Sequence, residues 1–311
     1  MPTKRREPPP HVYFVVSAVF HYLGPSFAVL LFARVSVLGV AWLRIASAAA
    51  VFALWRRPWR AFRRASREAR ALLVAWGAVL AVMNCCFYEA IDRLPLGTVA
   101  AIEFLPVIVL AAIGARTARN GAALALVVPG VYLLTDVRLA GEPLGVAFAA
   151  ANAVLFAAYI VLAHRVAQRG DVGGLDGLAA AMLIAVVVVS PLGGWEAAPA
   201  FSDPVVLLAG IGVGLSSSVI PYVSDQLAMR RLPRATYALM VSLLPATATV
   251  IGVVVLAQIP TATEVAAVGL VIAGVAIHRE PPAAAAPAGA AERAAARRGG
   301  RPDGRWRRRT T

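Results

Sequence analysis

Ten apolar stretches, near residues 12–32, 35–55, 71–91, 97–114, 120–135, 145–163, 177–194, 205–227, 235–257 and 262–278, are joined by connections that alternate between arginine-rich and arginine-poor. A helix needs about 20 apolar residues to cross the hydrocarbon core, and within lipid it must satisfy its own backbone hydrogen bonds. The pattern therefore predicts an all-α polytopic membrane protein. The fifth and tenth stretches are short for a full crossing. With 60% of residues hydrophobic, 15% charged and a mean hydropathy of +0.74, no room remains for a soluble catalytic domain.

Thirty Lys and Arg against 16 Asp and Glu give a net charge of +14, a balance that in a soluble chain would point to nucleic acid. Here the positions decide. With the N-terminus inside, 26 basic residues fall on the inner side, three (Arg34, Arg93 and Arg138) fall outside, and Arg44 lies within a span. Every connection then obeys the positive-inside rule. The reading is ten transmembrane helices in the bacterial plasma (inner) membrane, with both termini cytoplasmic. The basic start (Lys4, Arg5, Arg6) leads into an apolar stretch without a small-residue cleavage site, so that stretch reads as a first helix and not a signal peptide. Cys85 and Cys86 are adjacent within an apolar run and read as small buried residues. Residues 279–311 read as a disordered basic cytoplasmic tail that touches anionic lipid; no fold supports a nucleic-acid site at Arg305–Arg309 and Trp306.

An internal repeat follows from the helix order. Leu94-Pro95 precedes Pro106 by 11 residues, and Leu232-Pro233 precedes Pro245 by 12, at an offset of about 138 between the halves. Five helices is an odd number, so the second copy enters the membrane from the opposite side. The expected organisation is a tail over 1–11, a first five-helix repeat over 12–136, a second over 143–278 and the basic tail over 279–311. Inverted repeats of this kind hold a substrate near the midplane between the halves.

Polar residues within the spans are the candidate site. Arg44 and Glu103 are deep charges, each costing roughly 2.5 to 3.5 kcal/mol at a helix centre, so both should face the bundle interior. One reading makes them a structural ion pair. The other gives Arg44 a substrate carboxylate and makes Glu103 the proton-coupling group. His21, Asn84 and Asn152 fall at similar depth, with Tyr88 and Tyr222 within a turn of that layer. Alternatively each serves only to join helices. Pro106 and Pro245 are candidate helix bends and Asp225, with Glu89 at a comparable place in the other half, a candidate gate. Gly210, Gly214 and Ser218 read as a helix-packing stripe.

Met83-Asn84-Cys85-Cys86-Phe87-Tyr88-Glu89-Ala90-Ile91 and the run from Leu94-Pro95-Leu96-Gly97-Thr98 to Ile102-Glu103-Phe104-Leu105-Pro106 resemble the third and fourth helices of the EamA family in the drug/metabolite transporter superfamily, nearest the threonine/homoserine exporter-like branch. Gly39-Val40-Ala41-Trp42-Leu43-Arg44, Ala157-Ala158-Tyr159-Ile160 and Ser218-Val219-Ile220-Pro221-Tyr222 extend the resemblance over most of the chain. It implies ten helices in two inverted repeats. The chain departs from the family pattern where an acid before the ninth-helix proline is replaced by Leu244, an acid at that helix's end by Gln258, and a glutamate by Asp225. Glu103 is then the main deep carboxylate.

The expected function is secondary transport, as a proton-linked exporter of amino acids or related small metabolites. Other readings are a multidrug or sugar-derivative carrier of the same superfamily and an integral-membrane protein without transport activity. No catalytic residues are assigned, since no His and Glu pair has metal-ligand spacing and no Ser or Cys is partnered by His. Expected partners are a small-molecule substrate, membrane lipid, the proton gradient and a second copy as a homodimer, with no nucleic acid, no metal and no cofactor. The charge asymmetry makes a direct prediction: reporters fused after Arg70 and after Arg279 read cytoplasmic and one after Glu142 reads external. A cytoplasmic signal after Glu142 would break the ten-helix count.

Overall fold

The computed structural model describes residues 9–114, 117–139, 142–169, 172–229 and 243–277. The regular elements in them are all helical: α1 Pro10–Leu31, α2 Val37–Arg56, α3 Pro58–Arg64, α4 Arg67–Arg93, α5 Leu96–Gly114, α6 Ala118–Leu139, α7 Pro143–Arg169, α8 Gly174–Val189, α9 Pro204–Gly214, α10 Ile220–Met229, α11 Leu244–Leu256 and α12 Ala262–Ile277. Six runs are long and apolar enough to cross a membrane: His11–Leu31, Val37–Arg56, Arg67–Arg93, Pro143–Arg169, Gly174–Gly194 and Pro204–Ser224. Four apolar helical runs are shorter, Leu96–Pro106, Ala118–Leu133, Leu244–Leu256 and Ala262–Ile277. These fall within the fourth, fifth, ninth and tenth stretches; α5 and α6 run on to Gly114 and Leu139, and residues 235–242 of the ninth stretch lie outside the described residues. Pro233, the Arg230–Arg234 connection, residues 1–8 and the basic tail lie outside the described residues.

Helix boundaries follow from capping chemistry. Ser36 accepts from Gly39 N and Ser66 from Ala69 N, both at 3.2 Å, at the starts of α2 and α4. Asp203 Oδ1 accepts from Val205 N at 2.9 Å at the start of α9. Before α12, Thr261 and Glu264 cap each other: Glu264 Oε2 accepts from Thr261 N at 2.9 Å while Glu264 N donates to Thr261 Oγ1 at 3.3 Å. Between α2 and α3 the backbone reverses through Arg57 in the left-handed region (φ 51°), and Pro58 then starts the next helix, where its missing N–H costs nothing.

Two turns depart from the regular α pattern that the apolar runs suggest. Ser190–Gly194, which contains Pro191, extends α8 with π geometry. Leu215–Val219 widens the helix between α9 and α10 in the same way. Such insertions are rare and gather at functional sites.

Packing joins elements far apart in sequence: α1 lies on α10, α9 and α11, α4 on α7 and α8, α2 on α8 and α9, α5 on α7 and α11, and α6 on α12. Missing Cβ atoms allow the closest of these contacts. The stripe Gly210, Gly214 and Ser218 faces α2, where a Cβ on Gly210 would meet Leu43 and one on Gly214 would meet Ser47 and the Arg44 carbonyl. The apolar interior falls into two clusters, one around Leu31, Ile91, Val99 and Val127 and the other around Phe52, Leu73, Trp76 and Met182. Cys85 and Cys86 are free thiols and half-buried, less enclosed than the sequence suggests, with Cys85 at the edge of the second cluster.

On Gly77 of α4 a Cβ would come 2.6 Å from Ile184 and 2.8 Å from the Ala181 carbonyl on α8, whereas nothing lies within 4 Å of one on Gly121. Gly77→Val should therefore lower stability by about 1–3 kcal/mol, and Gly121→Ala should not lower it. Thermal unfolding of the two variants in detergent checks this.

Candidate functional site

α2 carries Arg44 to the widened turn between α9 and α10. Its Nε donates to Ser218 Oγ at 3.2 Å and its Nη2 to the Ser217 carbonyl at 3.4 Å. The guanidinium carbon lies 5.4 Å from the centre of the Tyr88 ring on α4, a cation–π distance. Arg44 is 8% exposed. Two glycines make this geometry possible: a Cβ on Gly214 would strike Ser47, and one on Gly24 of α1 would strike Ser217.

Glu103 on α5, also 8% exposed, accepts from Asn152 Nδ2 of α7 at 3.1 Å. Among the described residues no ion pair joins Arg44 to Glu103, which corrects the structural-pair reading. Each charge is held by neutral side chains and backbone, although Arg44 lies within Coulombic reach of Glu103, Tyr88 and His21, and Glu103 of Tyr22. His21 meets Tyr22 edge to face at 5.1 Å. Tyr88 Oη and Ser217 Oγ are buried beside each other and beside Arg44, and Asn152 Oδ1 is buried with no hydrogen-bond partner among the described residues. Buried polar groups are otherwise satisfied almost without exception, so that oxygen, beside one buried cation and one buried carboxylate, marks a place where a polar ligand fits.

The structure thus brings together His21, Arg44, Tyr88, Glu103 and Asn152. Asn84 is buried in the same bundle but its Nδ2 donates to Leu80 O at 2.7 Å, one turn back on its own helix. Tyr222 packs against the second apolar cluster. Pro106 lies inside α5 and Pro245 in the first turn of α11. The residues before Leu243, against which a bend at Pro245 would be measured, lie outside the described residues. Asp225 belongs to α10, but its side chain lies outside the described residues. Glu89 pairs with Arg93 at 2.6 Å, one turn along α4. Gln258 Oε1 accepts from Leu96 N at 3.0 Å and so caps α5. Ser217, Ser218 and Tyr22 were not among the sequence candidates. Three consecutive hydroxyls, Ser216 to Ser218, in an apolar run were the available signal.

Cavities open elsewhere among the described residues. A groove of about 480 Å³ runs between α1 and α9 past Phe27, Leu30 and Val205, from Arg34, which pairs with Asp203 at 3.7 Å, to Ser216. A pocket of about 150 Å³ lies among Gly97, Thr249, Gln258 and Glu264.

Residues 143–278 match the EamA-like transporter family. The chain is 30% identical over 282 residues to the threonine/homoserine exporter RhtA of Escherichia coli (strain K12), covering 88% of this chain and 93% of that protein. The chain belongs to the EamA-like transporter family. The same-named exporter of Salmonella typhimurium (strain LT2) is 30% identical over 269 residues, 83% of this chain and 88% of its own length. A solved crystal structure of a protein 19% identical covers 86% of this chain and 96% of itself with a TM-score of 0.58, and it shares the fold. As an EamA-like transporter, the chain is a multi-pass membrane protein and not an enzyme, with lipid around it and a small-molecule substrate.

Asn152 supplies the hydrogen bond that holds Glu103 among the described residues. Its loss leaves a buried carboxyl unsatisfied, so Asn152→Ala should cost about 1–3 kcal/mol. Adding Glu103→Gln should cost less than the sum of the two single changes, because they share one interaction. A double-mutant cycle from thermal unfolding in detergent measures the difference.

Proposed function

We propose that the chain is a proton-linked exporter of amino acids or related small metabolites in the bacterial plasma membrane, built as ten crossings in two inverted repeats, residues 12–136 and 143–278, with both ends cytoplasmic. The observation that carries this reading is the separation of Arg44 from Glu103 in one buried cluster. A guanidinium has five N–H donors, and here the structure records two in use. A substrate carboxylate fits the rest in the planar, two-pronged manner that favours arginine. Glu103, which among the described residues accepts from Asn152, is the place for a proton to dwell during export.

The helix contacts support the inverted-repeat reading. Exchanging the first five spans for the second five turns the α1–α10 contact into α7–α4, α2–α9 into α8–α4, and α5–α7 into α11–α1, all of which occur. The remaining pairs α2–α8, α5–α11 and α6–α12 map onto themselves. Gln258, at a position where the family resemblance calls for an acid, serves as a neutral helix cap, which concentrates proton handling on Glu103. That two relatives are named threonine/homoserine exporters supports amino acids ahead of drugs or sugar derivatives.

Proteoliposomes with an imposed pH gradient test the proposal. Glu103→Gln should abolish uphill transport while sparing substrate exchange, and Arg44→Ala should weaken substrate binding by on the order of tenfold or more, as expected for a charge-assisted hydrogen bond. Arg44→Lys should restore only part of it. Full uphill transport by Glu103→Gln would remove that residue from the proton path. A metabolite screen of cells with and without the protein supplies the substrates to assay.

A further inference from the structure

The connection between α2 and α4 holds seven arginines, Arg56 to Arg70, in 15 residues, and they divide into two groups. Two build the turn. Arg56 Nε donates to Asp176 Oδ1 at 2.8 Å, with its guanidinium 5.6 Å from the Trp55 ring. Arg70 donates to the Phe62 and Arg63 carbonyls at 3.0 and 2.7 Å and lies 5.9 Å from the Phe62 ring. These bonds close the end of α3, which also packs on α8 with Pro58 buried.

The other five, Arg57, Arg60, Arg63, Arg64 and Arg67, are exposed and form no ion pair among the described residues. The one acidic side chain in the segment, Glu68, is taken by Arg169 of α7 at 2.5 Å. Beside the arginines stand Trp55, in the last turn of the membrane-long α2, and Trp59, in the short α3 that follows it, 53% and 44% exposed. Tryptophan in that position sits at headgroup level, and clustered cations next to a span attract anionic lipid.

We propose that the α2–α3–α4 turn is a built binding site for the phosphate headgroup of an anionic phospholipid. Arg56 and Arg70 hold the turn rigid, the five free guanidiniums present phosphate donors, and Trp55 and Trp59 seat against the acyl–headgroup boundary. Rigid forks suit phosphate because each can donate two parallel N–H bonds. The exposed tryptophans favour a lipid over a soluble phosphate or a nucleic acid. The proposal rests on the turn lying at a membrane face, as the inside-out charge pattern reads, and not on the transport mechanism.

Native mass spectrometry of the full chain in detergent, with dioleoyl phosphatidylglycerol against dioleoyl phosphatidylcholine, tests it. Each arginine near an anionic surface contributes about fivefold in affinity, so retention of the anionic lipid should exceed that of the zwitterionic one by on the order of tenfold or more. Replacing Arg57, Arg60, Arg63 and Arg64 together by Gln should remove most of that preference, and replacing them by Lys should keep part of it. Replacing Arg305, Arg307, Arg308 and Arg309 by Gln should lower it far less, since the tail touches anionic lipid without a built site. Should the fourfold Gln variant not fold, Arg63→Gln with Arg64→Gln alone should still lower the preference severalfold. No preference in the wild type, an unchanged preference in the Gln variants, its loss in the tail variant, or equal displacement of the lipid by inorganic phosphate or an oligonucleotide would each overturn the proposal. The assay needs neither a gradient nor a substrate, so its failure leaves the transport reading untouched, and a failed transport assay leaves this one untouched.

Discussion

A guanidinium placed among membrane helices must have its donors met before anything else can pack around it, and much of this bundle's interior is arranged to that end. Arg44 reaches a serine hydroxyl and a backbone carbonyl on a turn whose regular hydrogen-bond ladder is widened. In a regular α-helix the Ser217 carbonyl would accept from the N–H of residue 221, but that residue is Pro221 and has none, so the carbonyl has no i+4 donor and can take one from outside. The price is close approach, met by glycine at positions 24 and 214.

Glu103 is handled differently. It is not used to neutralise Arg44, though a buried pair would be the familiar solution, and such pairs are seldom strongly stabilising in any case. Keeping the two charges on separate neutral partners leaves each able to respond to a third species. That arrangement suits a binding site better than a structural brace, and it gives the Asn152 carbonyl oxygen, without a partner among the described residues, a reason to be there.

The all-helical fold could be read from the sequence because lipid allows a chain so few options: apolar runs of crossing length, with arginines held to alternate connections, leave little but a helix bundle. The deep charges were legible for the same reason, since Arg44 and Glu103 are costly wherever they sit. Their partners were not. Whether Arg44 meets Glu103 or Ser218 depends on helix rotation and tilt, which hydropathy does not encode, and the widened turns at Ser190–Gly194 and Leu215–Val219 depend on a backbone hydrogen-bond pattern that it does not encode either. Depth alone grouped Asn84 with Asn152, but only Asn152 is turned toward the carboxylate; Asn84 donates back along its own helix.

The contact between Gly24 and Ser217 also acts as insulation. The groove between α1 and α9 reaches inward as far as Ser216, and the neighbouring serine is the one whose carbonyl holds Arg44. At that boundary there is not even space for a methyl group, so no file of water can thread from the groove to the guanidinium through this contact. The same missing carbon that lets the charge be held therefore keeps it from leaking sideways into the bilayer.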